Sequence, residues 1–326
     1  MRDKIVVLVA GGRMVQDLQQ AALSEEELAE LLPEELKNIV SIQKWSVQPT
    51  SNYTLRMCHE IIEMAADFIN KQGAKGVVII CAIEGLAELA YLADLVWDLN
   101  PPLVFTGSIF NAGSLRSETA LRLTQAVKAA ASGACTGKGA IVCLNDALYS
   151  PADIIRVSGC LSSNIFAFPD APLAVFSQPT DVLIQIRSPR RRQVCNLDLP
   201  LARNIEIIDA ALGSSDLILK ALLDKRYEEL EGLIISGFGD GEVPSSWMPL
   251  LRKLVRANIP VVLASRAPGG LVQAIEDYEG SASQLLEAGL ISAGMLTPHQ
   301  ARIRLAVGLA ASLEGDALKN YMRGGM

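Results

Sequence analysis

The stretch VVIICAIEGLAELA, residues 77–90, sets the architecture of this chain. Its first half is a continuous run of β-branched residues, which predicts a strand buried on both faces. Its second half has the composition of a helix, and the change occurs at Cys81-Ala82. A buried strand that runs directly into a helix is the repeating unit of an α/β fold with a mainly parallel sheet.

The same alternation continues on both sides of this stretch. Apolar runs predict further strands at 4–10, 38–47, 102–107, 139–144 and 173–177, and helices are predicted at 55–72, 84–98, 116–132 and about 151–157. A second α/β series has strands at 204–209, 232–237 and 260–264 and a last helix from 298. Between the two series lies a segment rich in Pro and charge. The predicted organisation is an α/β domain at 1–190, a linker at 191–205 and a smaller α/β domain at 206–326.

Composition excludes several classes of function. The 326 residues carry 29 Lys and Arg against 36 Asp and Glu, a net charge of −7, so no nucleic-acid partner is expected. The 6 cysteines form no CxxC pair and there are only 2 histidines, so neither a metal nor a cofactor is expected. No apolar run reaches membrane-spanning length and the start has no signal-peptide pattern, so we expect a cytoplasmic protein without a membrane partner.

Candidate site residues are those that directly follow the predicted strands. Ligands of parallel sheets bind beyond the carboxyl ends of the strands, where the connecting turns meet. The turns to consider are residues 11–13 (GGR), 50–52 (TSN), 81–85 (CAIEG), 106–108 (TGS) and 145–146 (ND).

These turns and their flanks resemble the L-asparaginase/glutaminase family nearly end to end. The matching stretches are LVAGGRM at 8–14, the opening stretch, PPLVFTGSIFNAGSLRSETALRL from 101, the segment that begins GAIVCLNDALYSPADII at 139, GLIISGFGDGEVP from 232, PVVLASRAPGG from 260 and LISAGMLTPHQARIRL from 290. The resemblance implies a two-domain asparaginase-like fold, a small carboxylate- or amide-bearing ligand, and a homodimer or homotetramer.

The resemblance also implies which positions carry the family's chemistry, and this chain differs at most of them. Arg13 stands where the family has its attacking Thr, Ile83 and Glu84 replace a Thr-Asp pair, and Arg156 replaces a Lys. A guanidinium cannot attack an amide and does not release its proton. Ordinary asparagine hydrolysis is therefore not expected.

The resulting site hypothesis has two groups of residues. Glu84, Arg13 and Arg156 are predicted as the catalytic set, and Thr50, Ser51, Ile83, Gly85 and Thr106 as substrate-binding residues. Thr50 stands where the family has a Ser that holds the substrate carboxylate, and it is the best preserved position.

Alternatives remain open at this point. The charged set is either an Arg13–Glu84 salt-bridge cluster that fills a vacated site or a pocket adapted to an anionic ligand. The protein is either an amidohydrolase-derived enzyme with an altered site, a non-catalytic ligand-binding or scaffold subunit, or a plain asparaginase. Cys81 is interpreted as a buried thiol rather than as a nucleophile.

Overall fold

The structure is a computed structural model, and it describes residues 3–46, 48–156, 165–167, 172–177, 194–225 and 227–323. The chain divides into two compact units, Met1–Val194 and Cys195–Met326. The predicted α/β class, with a larger mainly parallel sheet followed by a smaller α/β unit, is confirmed. Residues 191–193 of the predicted linker lie outside the described residues.

The first unit contains a seven-stranded sheet of order β2-β1-β3-β4-β5-β6-β9. Its strands are β1 (Ile5–Val9), β2 (Val40–Lys44), β3 (Gly76–Ile80), β4 (Leu103–Thr106), β5 (Ala140–Leu144), β6 (Ala147–Tyr149) and β9 (Ala174–Val175). The first five strands are parallel, and β6 and β9 add antiparallel at one edge. Strands β1 and β3 are buried along their whole length, as predicted from their β-branched runs.

Helices connect the parallel strands of this unit. They are α1 (Glu25–Glu30), α2 (Glu34–Lys37), α3 (Leu55–Asn70), α4 (Ile83–Val96) and α5 (Thr119–Ala131). The stretch predicted as a helix at about 151–157 is different: a 3-10 turn at Pro151–Asp153 leads into β7 (Ile154–Arg156), which pairs with β8 (Ile165–Ala167). The β-branched pair Ile154-Ile155 suits this ladder better than a helix.

The second unit is built on a four-stranded parallel sheet of order β10-β11-β12-β13. Its strands are β10 (Ile205–Asp209), β11 (Gly232–Gly237), β12 (Val261–Ser265) and β13 (Ile291–Ser292), and its helices are α6 (Leu217–Lys225), α7 (Met248–Arg256), α8 (Ala282–Glu287), α9 (Pro298–Ala310) and α10 (Gly315–Met322). Helix α9 starts at Pro298 behind a Thr297 capping box, as its TP start signal predicts.

The segment between β1 and β2 is folded against the sheet. Helix α1 begins at a capping box between Ser24 and Glu27, which satisfies two main-chain donors at its start. Leu28, Leu32 and Leu36 of this segment are buried in the same core as β1 and β2. The part of this segment from residue 25 to 37 is therefore largely helical and packed against the sheet.

Candidate functional site

Glycines bring the turns after β1, β3 and β4 together. Gly11 and Gly12 have φ of 95° and 98°, a region that L side chains rarely adopt. A Cβ atom on Gly12 would lie 2.8 Å from the Cα atom of Ala82, and one on Gly107 would overlap the carbonyl oxygen of Cys81. The three strand ends are thus in main-chain contact, and the side chains that follow them share one edge of the sheet.

Glu84 lies in the first turn of α4, directly beyond the end of β3. A carboxylate in this position interacts favourably with the positive end of the helix dipole. Its Oε1 atom lies 3.9 Å from Nη2 of Arg156, and the two side chains are 52% and 28% exposed. Such a long and hydrated ion pair contributes little stability.

Arg13 does not form the predicted pair with Glu84. It begins a 3-10 turn at Arg13–Val15, is exposed, and its Nη1 atom donates to the carbonyl oxygen of Ile109 at 3.3 Å. Among the ion pairs of the described residues, the partner of Glu84 is Arg156. The predicted Arg13–Glu84 cluster is therefore corrected: the turn after β1 is bound to the β4–α5 loop, and the cation that approaches Glu84 comes from β7.

The loop between Leu103–Thr106 and Thr119–Ala131 is joined to the turn after β1 by further hydrogen bonds. The amide of Ala112 donates to the carbonyl of Gln16 at 2.8 Å, and Nδ2 of Asn111 donates to the carbonyl of Asp17 at 2.9 Å. Together with the Arg13 contact, these bonds hold the start of the β1–β2 connection in place.

Thr50 has a buried hydroxyl that is left without a hydrogen-bond partner among the described residues. It begins the 3-10 turn Thr50–Asn52, and a Cβ atom on Gly85 would lie 2.5 Å from its methyl carbon. Thr50 therefore lies directly against the turn that carries Glu84. An unsatisfied buried hydroxyl costs about 1–3 kcal/mol, so a ligand that bonds to it would recover that energy.

The other predicted binding residues have different surroundings. Ser51 is exposed beside Thr50, whereas Ile83 is buried, with 3% of its surface exposed, at the start of α4. Thr106 is fully buried, and its hydroxyl donates to the carbonyl of Cys143 at 3.0 Å. The structure thus brings Thr50, Gly85 and Glu84 together. The binding roles of Ile83 and Thr106 stay predictions, with packing and main-chain contacts as the interactions observed.

Two residues that the sequence reasoning did not select also shape the site. The hydroxyl of Tyr53 donates to the carbonyl of Ala10, and its ring meets that of Trp45 edge to face at 5.4 Å between centroids. Burial raises the pKa of Tyr53 above its usual value. This contact fastens the loop after β2 to the end of β1. Aromatic residues five positions before and three positions after Thr50 were the available signal.

Arg122 is the second missed residue. Its side chain is 5% exposed, its Nη2 atom lies 2.7 Å from Oε2 of Glu118, and its Nη1 atom donates to the carbonyl of Gly107 at 3.1 Å. It thereby holds the turn after β4 against α5. The Glu-x-x-x-Arg spacing in SETALRL was the signal, because residues four apart meet on one helix face.

Cys81 has the environment of a structural thiol. It is fully buried, and desolvation raises its pKa far above the usual value, with a smaller contribution from the neighbouring Cys58. Burial raises the pKa of Cys58 itself to about 12. Because the thiolate is the reactive form, these cysteines lack the lowered pKa of a nucleophile.

We predict that Cys81 resists alkylation in the folded protein. With iodoacetamide at pH 8, modification of Cys81 should be at least about 100-fold slower than that of Cys195, which is only partly buried. Mass spectrometry of peptides from folded and urea-unfolded protein measures both rates. Equal rates for the two residues in the folded protein would contradict this assignment.

The described residues contain neither a metal-binding cluster nor a membrane-spanning helix. Within the described ranges, no group of three or more His, Cys, Asp or Glu side chains is arranged to hold a metal ion. Of the helices in those ranges, none is long and apolar enough to cross a bilayer.

Comparison with known proteins gives the class of the chain. The family model "Asparaginase, N-terminal" matches residues 4–187, and "Glutaminase/Asparaginase C-terminal domain" matches residues 204–322. The chain therefore belongs to the asparaginase/glutaminase family, as the sequence motifs predicted.

Individual relatives agree with this membership. The chain is 25% identical to an L-asparaginase of Bacillus licheniformis, over 97% of this chain and 98% of that protein. It is 23% identical to a glutaminase-asparaginase of Pseudomonas fluorescens biotype A, over 97% and 88%. The structure resembles that of a probable cytoplasmic L-asparaginase from Campylobacter jejuni, with a TM-score of 0.85 and 20% identity over 99% of this chain and 100% of that chain.

Proposed function

We propose that this member of the asparaginase superfamily binds a small molecule with a carboxylate or an amide in the cleft between the turns after β1, β2 and β3, and does not hydrolyse asparagine in the usual way. The observation that carries the proposal is the buried hydroxyl of Thr50, which has no partner among the described residues and lies against Gly85, next to Glu84. A ligand oxygen or amide would satisfy that hydroxyl.

The charges around the cleft support an anionic ligand group. Arg156 approaches Glu84 to 3.9 Å, which places a guanidinium beside this carboxylate, whereas Arg13 is bound to the carbonyl of Ile109. The guanidinium is a fork of donors that fits a carboxylate in a bidentate manner. In the proposed complex, Arg156 and Thr50 hold the carboxylate, and Glu84 accepts a hydrogen bond from an amide or amino group of the same molecule.

The altered chemistry follows from the residue at position 13. Arg13 follows the two glycines where the resemblance places the attacking Thr, and an always protonated guanidinium cannot serve as that nucleophile. If the protein is an enzyme, we propose a hydrolase of this superfamily with a modified reaction, in which Glu84 acts as the acid–base group. Because the relatives are named L-asparaginases and glutaminase-asparaginases, the test below also measures amide hydrolysis.

The proposal is tested by ligand binding and by turnover in parallel. Thermal unfolding is followed with L-aspartate, succinate, L-asparagine, L-glutamine and phosphate, and ammonia release is measured with the two amides. We expect a carboxylate to stabilise the protein by about 2.7 kcal/mol at a hundred times its dissociation constant, without enzyme-like ammonia release. Asparagine turnover at an ordinary enzymatic rate would refute the proposed loss of chemistry, and no stabilising ligand would favour a scaffold subunit.

Thr50→Val gives a prediction with two readouts. The valine keeps the shape but removes the unpartnered hydroxyl, so the ligand-free protein should become more stable by about 1 kcal/mol, while affinity for the carboxylate falls about tenfold. Thr119→Val is the matched control, because the hydroxyl of Thr119 is buried but donates to the carbonyl of Met14 at 3.0 Å. The control should lose stability and keep its ligand affinity. If the stability of both variants changed in the same direction, the assignment of an unpartnered hydroxyl to Thr50 would be contradicted.

We also propose that the chain forms a homodimer or homotetramer, as the family resemblance implies. Sedimentation equilibrium at several protein concentrations measures this directly. A monomer at all concentrations would contradict it.

A further inference from the structure

Strand β2 presents an open edge at one end of the large sheet. The sheet order places β2 outermost, with β1 as its neighbour. The amide of Ile5 donates to the carbonyl of Ile39, and the amide of Trp45 donates to the carbonyl of Val9. Odd-numbered residues of β2 therefore pair with β1, and Val40, Ile42 and Lys44 direct their main-chain groups outward.

These outward groups have no hydrogen-bond partner in the part of the chain that the structure describes. An exposed edge of this kind is a template for another strand, and proteins usually protect it with charge or with a covering element. Here the neighbouring element is helix α1, which packs beside β2 and leaves a groove along the strand.

The groove has both apolar and charged lining residues. Its volume is about 190 Å³, and Leu32, Val40 and Ile42 line it together with the charged Glu25, Glu26 and Lys37. The side chains of Val40 and Ile42 lie on the same face of the strand, because residues two apart in a strand share a face. A strand added to β2 would place alternate side chains over this groove.

The charge of the groove favours a basic occupant. Residues 24–38 contain six Glu and one Lys. That Lys37 is already bound by Glu30 at 3.1 Å and by Glu34 at 2.8 Å, so its charge is compensated. Lys44, at the end of β2, is a second cation near the groove; it adds a small contribution to the lowered pKa of Glu26, which is due mainly to main-chain and Ser24 hydrogen bonds. The surplus of carboxylates lies at Glu25 and its neighbours on α1.

We propose that the edge of β2 and the groove beside α1 bind an extended segment of another protein with Lys or Arg at alternate positions. The segment adds to the sheet as a strand: its main chain pairs with Val40 and Ile42, and its basic side chains meet Glu25 and Glu26. This is the β-augmentation mode, in which main-chain bonds give affinity and side-chain pockets give specificity. The site is independent of the cleft described above.

The test uses a fluorescein-labelled peptide, acetyl-Thr-Lys-Val-Arg-Val-Lys-Thr-amide, and fluorescence anisotropy with the full chain at low salt. We expect saturable binding that is weakened at least about tenfold by the double variant Glu25→Lys/Glu26→Lys. The control Glu287→Lys/Glu314→Lys makes the same change of charge at exposed positions of the second unit and should retain binding. A version of the peptide with Glu in place of Lys and Arg should not bind.

Two N-methylated peptides separate strand addition from simple charge attraction. Methyl groups on one set of alternate amides block pairing with β2, whereas methyl groups on the other set point away from it. One peptide should lose binding and the other keep it. The proposal is overturned if the two methylated peptides bind equally, if the two double variants lose peptide binding equally, or if binding of the parent peptide does not saturate. The parent protein could also self-associate without binding the peptide. If the Glu25→Lys/Glu26→Lys variant abolished that self-association, the edge would be assigned to a second copy of the chain, and the proposal would likewise be overturned.

Discussion

Replacing Arg122 with methionine is expected to lower the free energy of unfolding of the first unit by about 3 kcal/mol. The guanidinium is 5% exposed, and it bonds both the carboxylate of Glu118 and the carbonyl of Gly107. Methionine fills much of the volume but leaves both acceptors without their donor. This loss of unfolding free energy lies at the low end of the range for breaking a buried ion pair, because Glu118 is 33% exposed and can be hydrated.

The control for this prediction is Arg56→Met. Arg56 and Glu60 are also four residues apart on a helix and 2.9 Å apart, but their side chains are 71% and 46% exposed. An exposed pair of this kind contributes about 0.5 kcal/mol or less. Urea unfolding, combined with hydrogen exchange of peptides from residues 103–131, measures both variants. Equal effects of the two substitutions would show that burial of Arg122 has no energetic consequence.

Replacing Arg156 with methionine is expected to weaken carboxylate binding in the cleft about 30- to 100-fold. Removing a charged donor from a ligand carboxylate costs about 2–3 kcal/mol, and Glu84 would then repel the ligand without compensation. Loss of the Arg156–Glu84 pair itself should change the stability of the ligand-free protein little, because this pair is long and partly exposed. Isothermal titration with the carboxylate that stabilises the protein measures the affinity.

Arg116→Met is the charge-matched control for Arg156. The Arg116 guanidinium lies 4.2 Å from the ring centre of Phe110, so the variant removes the same charge from a different contact. It should keep the affinity of the parent protein. Arg156→Lys should recover part of the binding, since an ammonium supplies charge without the bidentate fork. An Arg156→Met variant with unchanged affinity would remove this residue from the proposed site.

The sequence predicted the strands and the edge of the sheet where the site lies. The runs at 4–10, 76–82 and 139–144 contain strands β1, β3 and β5, because a strand buried on both faces requires continuous apolar residues. The helix predicted at about 151–157 was wrong. Pro151 and Asp153 also suit the start of a helix, and only pairing with Ile165–Ala167 selects a strand for the residues that follow. Local patterns carry no information about such a pairing partner.

The candidate site was predictable as a set of turns and not as a set of contacts. Motif order placed Thr50, Glu84 and Arg156 at the same edge, where Thr50 meets Gly85 and Arg156 approaches Glu84. The expected Arg13–Glu84 pair failed because Arg13 donates to Ile109, 96 positions along the chain. A main-chain carbonyl has no sequence signature, so this competitor for the guanidinium could not be identified beforehand.

By itself, the sequence determined the α/β architecture and the family, because these depend on residue type and order along the chain. That Arg13 stands at the position of the attacking hydroxyl stays a prediction from the resemblance. The tertiary structure alone decided that Arg156 pairs with Glu84, that the Thr50 hydroxyl is buried without a described partner, and that β2 is the outermost strand of the described sheet. These features depend on distances between residues far apart in sequence, which arise only when packing brings the strand ends together.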